Sequence, residues 1–412
     1  MSIRRSLLRS ASELAIVGAG IYVFERALAH QRGEAPTINW NRVRTVARRV
    51  AQQPSAVAID LHPATVHPNY AVLVAQAQPL ITDYTHTELP QNLTEIIALS
   101  RQQWLDTNIA SFIELFAPLE DAYRQVAQRF SEQSITPLMS MLGGWLLSSQ
   151  LGLLLGYLAR RVLGQYDFAL LGREPVTTGK LYFIDENIAS VERRLGVPPD
   201  QFRLWIALHE ATHAFEFEAH PWLASYLNER VKEHMHLLVQ QVERMPLVPD
   251  VDGMIRMVQR AIQHLSTGSH LVELFLDDRQ QQLFRRLQGI MSLLEGYSNH
   301  VMDAIGIQLL PDYLLIKQRF EARQLHRSRL DRLWLRLSGL DMKMEQYILG
   351  EAFVAHVVQQ RGMDFLNRAF TAPEYLPDVE EIREPERWIS RIERLVKQEA
   401  RVSLGEGDQS SR

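Results

Sequence analysis

Leu208-His209-Glu210-Ala211-Thr212-His213 is the stretch on which the reading of this 412-residue chain turns. On a helix, residues four apart lie one turn apart on the same face. His209 and His213 can therefore bring two imidazoles to one metal ion, while Glu210 reaches the ion's open position. The flanks favour a helix, because Pro198-Pro199-Asp200 reads as a start and Phe202, Trp205, Ile206, Leu208 and Phe215 supply apolar surface. With 14 His in the chain, accident would produce such a pattern only about 0.03 times per chain of this composition. The competing reading is a helix whose histidines serve a buried hydrogen-bond network.

Composition narrows what the pair could hold. The chain has no cysteine, which excludes disulfides, thiolate metal sites and cysteine nucleophiles, so a transition metal must be held by imidazole and carboxylate. Hydrophobic residues make up 46% and charged residues 22%, the composition of a folded protein rather than a disordered one. Its length suggests about two or three domains, or one large helical unit. Lys plus Arg number 44 against 48 Asp plus Glu, and a formal charge of -4 gives no electrostatic case for a nucleic-acid partner.

A catalytic zinc needs a third protein ligand and an open site for water. In the extended pattern, a glycine would stand at 216 and a histidine at 219, but those positions are Glu216 and Ala219, and His220 is one residue out of register. The other common arrangement takes a glutamate from a later helix. Leu293-Leu294-Glu295-Gly296-Tyr297-Ser298-Asn299-His300-Val301-Met302-Asp303 supplies one in Glu295, in an apolar setting where an unpaired carboxylate would be costly to bury. Asn299, one turn later, could hold the far nitrogen of a ligating histidine. The alternatives are an ion pair of Glu295 with Arg285 or Arg286, and a third ligand drawn from Glu216, Glu218 or His220.

Around these motifs the chain reads as mainly helix, with stretches at about 91–132, 137–163, 200–243, 252–303, 311–337 and 341–361. Six prolines from Pro36 to Pro90 argue against long helices there, with room for a short strand near Tyr70 to Ala75. Lys180-Leu-Tyr-Phe-Ile-Asp185 is a β-prone run after the turn-like Thr177-Thr178-Gly179. An ordered loop is expected from Ala372 to Pro385, then a last helix from Glu386 to Val402 and a frayed tail from Leu404. The expected organisation is an N-terminal helical segment at 1–34, a Pro-punctuated and helical region at 35–145 packed on the core, the main domain at 146–403, and a flexible tail at 404–412.

Two segments invite a membrane reading. Arg4, Arg5 and Arg9, the uncharged run Leu14 to Phe24, and Ala27-Leu28-Ala29 loosely imitate an export signal. That run is shorter than the roughly 20 residues of a spanning helix. Ser134 to Ala159 is uncharged and long enough, and Gly152-Leu-Leu-Leu-Gly156 has the small-residue spacing of close helix contacts. Ser140, Ser148, Ser149, Gln150 and the Gly143-Gly144 pair interrupt it, so a helix buried inside a large protein is the preferred reading. No membrane span is expected, and the expected compartment is the cytoplasm.

Several motifs in order resemble the bacterial zincin-like metallopeptidases of type 2, a group of hydrolases of which some carry a coenzyme F420 biosynthesis label. These are Val162-Leu-Gly-Gln-Tyr-Asp167, Leu181-Tyr-Phe-Ile-Asp-Glu-Asn187, His209-Glu-Ala-Thr-His-Ala-Phe-Glu-Phe217, Glu295-Gly-Tyr-Ser-Asn-His-Val-Met-Asp303 and Gly339-Leu-Asp-Met-Lys-Met-Glu-Gln-Tyr347. Asn299 departs from the aspartate expected there. The resemblance implies a mainly α fold, with a zincin-like metallopeptidase core, a small β element and additional packed helices. It also implies hydrolase activity and names no substrate.

The expected function is that of a zinc metallopeptidase. One Zn2+ per chain is held by His209, His213 and Glu295, and Glu210 activates the zinc-bound water to attack a peptide bond. The expected partner is a peptide or protein substrate, which could pair with the strand at Leu181 to Asp185. Tyr347, His300 and His356 are candidate donors to a developing oxyanion. Two rivals remain: a non-catalytic binding or scaffold protein on the same fold, and a di-iron helical protein using Glu210-x-x-His213 and Glu233-x-x-His236 with Glu273 and Glu295.

Overall fold

Apolar residues at helical spacing and the β-prone run Lys180 to Asp185 predict a mainly helical chain with a small β element. The computed structural model, which describes residues 38–52, 69–91, 93, 95–130, 137–167, 180–243, 278–325 and 341–406, has that architecture. In chain order the elements are α1 (Trp40–Gln52), α2 (Tyr70–Thr85), β1 (Ile96–Leu99), α3 (Arg101–Phe130), α4 (Pro137–Ala159), β2 (Gly164–Asp167), β3 (Lys180–Ile184), α5 (Asp185–Leu195), α6 (Pro199–Glu218) and α7 (Pro221–Glu243). They continue as α8 (Asp278–Leu309), α9 (Tyr313–Leu325), α10 (Asp341–Arg361), α11 (Met363–Leu366), α12 (Val379–Arg383) and α13 (Pro385–Glu406).

The sheet has the order β1-β3-β2, with β1 parallel and β2 antiparallel to β3. The β-prone run at 180–184 is therefore the central strand, and both its edges are already paired. A peptide cannot add to it, which corrects the expectation that it offers a docking edge. Its lack of polar alternation has a separate cause, since β3 is also covered on both faces. Leu181 and Phe183 join the larger core with α2, α6, α8 and α10, while Ile184 turns to a second core with Val43, Ala47, Leu105, Ile109 and Leu155.

Three local expectations are overturned. The segment near Tyr70 is helix rather than strand, and α2 runs straight through Pro79. Asn69 caps it by accepting from the Ala71 N–H, and Tyr70, Val74, Ala77 and Ile81 form one fully buried stripe, so tertiary burial outweighs the hydrogen bond lost at the proline. The stretch at 91–132 begins with β1, because Ile96 to Leu99 zip onto Leu181 to Ile184. The stretch at 200–243 is two helices, broken at Pro221. The loop expected from Ala372 to Pro385 is ordered by a capping box in which Asp378 and Glu381 satisfy each other's backbone N–H, and it contains the short helix α12. The export-like residues, Glu273 and the Thr177-Thr178-Gly179 turn lie outside the described residues.

The apolar helix at 137–159 is explained by close packing. A side chain on Gly152 or Gly156 would strike Val46, Val50 and the α1 carbonyls of Val43 and Ala47, so the small-residue spacing serves a contact between α4 and α1. Among the described residues, no helix is long and apolar enough to cross a membrane. A tighter crossing joins α8 to α10. A Cβ on Gly296 would fall inside the Gly350 backbone, and one on Gly350 would fall on the Ser292 carbonyl oxygen. The two helices thus touch backbone to backbone beside Glu295.

Candidate metal centre

α6 is buried nearly all round, with Phe202, Trp205, Leu208, Ala211 and Phe215 in the core. Its two histidines face the one side where α8 crosses. The rings of His209 and His213 lie edge to face with centroids 4.8 Å apart. Opposite them stands Glu295, whose Oε2 is 3.9 Å from Nε2 of His209 and 3.9 Å from Nε2 of His213. Those distances are too long for hydrogen bonds. They are close to the spacing, about 3.4 Å, of ligand atoms that share a tetrahedral zinc at its usual bond lengths.

The donor set therefore fits a borderline-soft divalent ion, with two imidazole nitrogens and one carboxylate oxygen all within 4.8 Å of one another. Among the described residues, no other cluster of three such side chains converges in this way. The histidines retain 13% and 16% side-chain exposure, so the donors are not wholly sealed from solvent. Arg285, the proposed ion-pair partner of Glu295, instead faces Glu380 at 3.7 Å.

Behind the donors lies a second group that orients one of them. His213 Nδ1 is 2.8 Å from Glu216 Oε2 and 3.0 Å from Ser298 Oγ, and the Ser298 hydroxyl donates to Glu216 Oε1 at 3.3 Å. With Nδ1–H donated to this pair, Nε2 is the nitrogen left to accept, the one a metal would use. For His213 this role falls to Glu216 and Ser298 rather than to Asn299. The three-residue step from His213 to Glu216 was a readable signal, because residues that far apart share a helix face. Ser298 left no comparable mark.

The electrostatics follow from burial. Burial works to lower the His213 pKa, but the charge and hydrogen bond of Glu216, with Glu295 and Glu210 beyond it, outweigh that and push it up to about 9. Burial raises Glu216 to about 7 against the opposing pull of His213. A ligating imidazole must be neutral, so a metal held by His213 would compete with its protonation.

Other candidates are placed elsewhere. Glu218 accepts from the Tyr166 hydroxyl at 2.7 Å, and His220 Nδ1 bonds the Glu216 carbonyl at 3.0 Å, so neither joins the donors. His300 Nε2 meets the Tyr84 hydroxyl at 2.8 Å, and His356 Nε2 meets Glu386 at 2.7 Å on the surface. The Tyr347 side chain lies outside the described residues. Glu233 is held by Arg230 and Arg279, and His236 by Gln240, so the second Glu-x-x-His pair of the di-iron reading does not gather with His213.

Against this geometry stands a sequence match to the model of the zincin-like metallopeptidases over residues 38–389. The chain belongs to the zincin-like metallopeptidase family. A solved structure described as "a putative hydrolase with a novel fold from Chloroflexus aurantiacus" shares 38% identity with this zincin-like chain. The match covers 87% of this chain and 99% of that one, with a TM-score of 0.62. No curated protein matches in sequence. Membership supports a hydrolase of the peptidase kind and implies a metal, typically zinc.

The Glu216 contact gives a first quantitative expectation. Glu216→Ala removes the acceptor that fixes the His213 ring and leaves all three donors in place. Zinc affinity measured by competition with a chromogenic chelator is expected to fall by about 10–100-fold, as for other outer-sphere partners of metal-bound histidine. An unchanged affinity would show that the ring needs no such anchor.

Proposed function

We propose that this protein is a zinc-dependent peptidase in which His209, His213 and Glu295 hold one zinc ion and Glu210 is the general base. The observation that carries this reading is the convergence of three donors from α6 and α8 on one point, with a buried fourth group, Glu210, on the same helix. A zinc ion held there would supply Lewis acidity toward the attacking water and the scissile carbonyl.

The chain's own groups do the rest. Glu210 accepts a proton from the attacking water and returns it to the leaving amine, a role for which its single carboxylate suffices in both directions. Glu216 and Ser298 hold His213 in the tautomer that keeps Nε2 free for the metal. The Glu295 carboxylate, itself buried, would offset part of the ion's charge. We infer that an extended peptide pairs along β2, which among the described residues pairs with β3 alone and is antiparallel to it.

The test is cleavage of a mixed peptide library by the zinc-loaded full chain, read by mass spectrometry. New termini are expected, lost on chelation and restored by about one equivalent of zinc per chain. A fully loaded protein that cleaves nothing would instead favour a binding or scaffold role on the same fold.

A further inference from the structure

We propose that Gly164 is a positioning residue for Glu210, the bare backbone of β2 forming the floor that fixes where the carboxylate points. This inference rests on the assignment of Glu210 as the base. A Cβ built on Gly164 would come within 2.6 Å of Glu210 Oε1 and closer still to its Cγ and Cδ. Ordinary carbon contacts are about 3.5–4.0 Å, so any other residue at 164 must move the Glu210 side chain or the strand.

The strand is poorly able to move. Gln165 accepts from Trp104 Nε1 on α3 at 2.6 Å, and Tyr166 donates to Glu218 on α6 at 2.7 Å while stacking on Phe217 with centroids 5.6 Å apart. Backbone pairing to β3, Gly164 opposite Phe183, holds the third side. The carboxylate is the part that gives. Nor does the backbone itself call for glycine, since Gly164 lies within a regular strand and is not among the positive-φ residues. Glycine weakens a strand interior relative to alanine, so its presence here answers to space rather than to local propensity.

Gly164→Ala leaves His209, His213 and Glu295 untouched and displaces only the base. Three readings test it on the full chain. Zinc content is expected to stay at about one per chain. A crystal structure is expected to show the Glu210 carboxylate shifted by about 1 Å or more, and kcat to fall by about 100-fold with KM little changed, the cost of misplacing a reacting group by that distance. A carboxylate that stays in place, or a shifted one with unaltered kcat, would overturn the proposal.

If Gly164→Ala folds poorly, the same substitution in a Glu210→Ala background decides the matter, because the atoms it would strike are gone. Its melting midpoint is then expected within about 1 °C of Glu210→Ala alone, and a persisting loss would place the clash elsewhere. Absence of cleavage by loaded wild type would sink the peptidase reading, whereas the displacement of Glu210 is read independently by crystallography.

Discussion

Glu210→Gln is expected to keep about one zinc per chain and to lose turnover by about 10²–10⁴-fold, the range attributed to a positioned general base. Glutamine preserves the size of the side chain against Gly164 and removes its ability to take a proton. Because none of the three converging donors is altered, elemental analysis by plasma mass spectrometry should match wild type. The two readings together separate the base from the ligands. Cleavage at the wild-type rate by a zinc-loaded Glu210→Gln protein would mean that another group takes the proton.

Glu295→Ala is expected to have the converse signature, with zinc falling from about one per chain to less than about a tenth after dialysis. The loss should exceed the 10–100-fold typical of an outer-sphere partner, since Glu295 supplies the only one of the three donors that comes from α8. The remaining histidines are neighbours on one helix and would hold the ion from one side only. Unchanged occupancy would remove Glu295 from the site. Neither Glu218 nor His220 could take its place without breaking its bond to Tyr166 or to the Glu216 carbonyl.

The three side chains that converge were legible because each left a local mark. The histidine pair is a four-residue step on one face, and Glu295 is a carboxylate in an apolar run. What escaped the sequence depends on partners distant along the chain. Pro79 argued against a helix that α2 nonetheless forms, because the stripe Tyr70, Val74, Ala77 and Ile81 is buried against elements more than a hundred residues away. β3 looked like an available edge because nothing in Lys180-Leu-Tyr-Phe-Ile184 reveals that Ile96 to Leu99 and Gly164 to Asp167 flank it. Ser298 was silent for the same reason, its role set by how α8 approaches α6.

The contact between Gly296 and Gly350 acts as a mechanical detent on the position of Glu295. Packed helices can slip by small shears when their side chains repack. Here the surfaces that meet are main chain, and peptide units have no rotamers with which to accommodate a slide. Glu295, one residue from the detent, is indexed to α10 as firmly as to its own helix. The proposed metal site would thus borrow its rigidity from α10, which contributes none of the three converging donors.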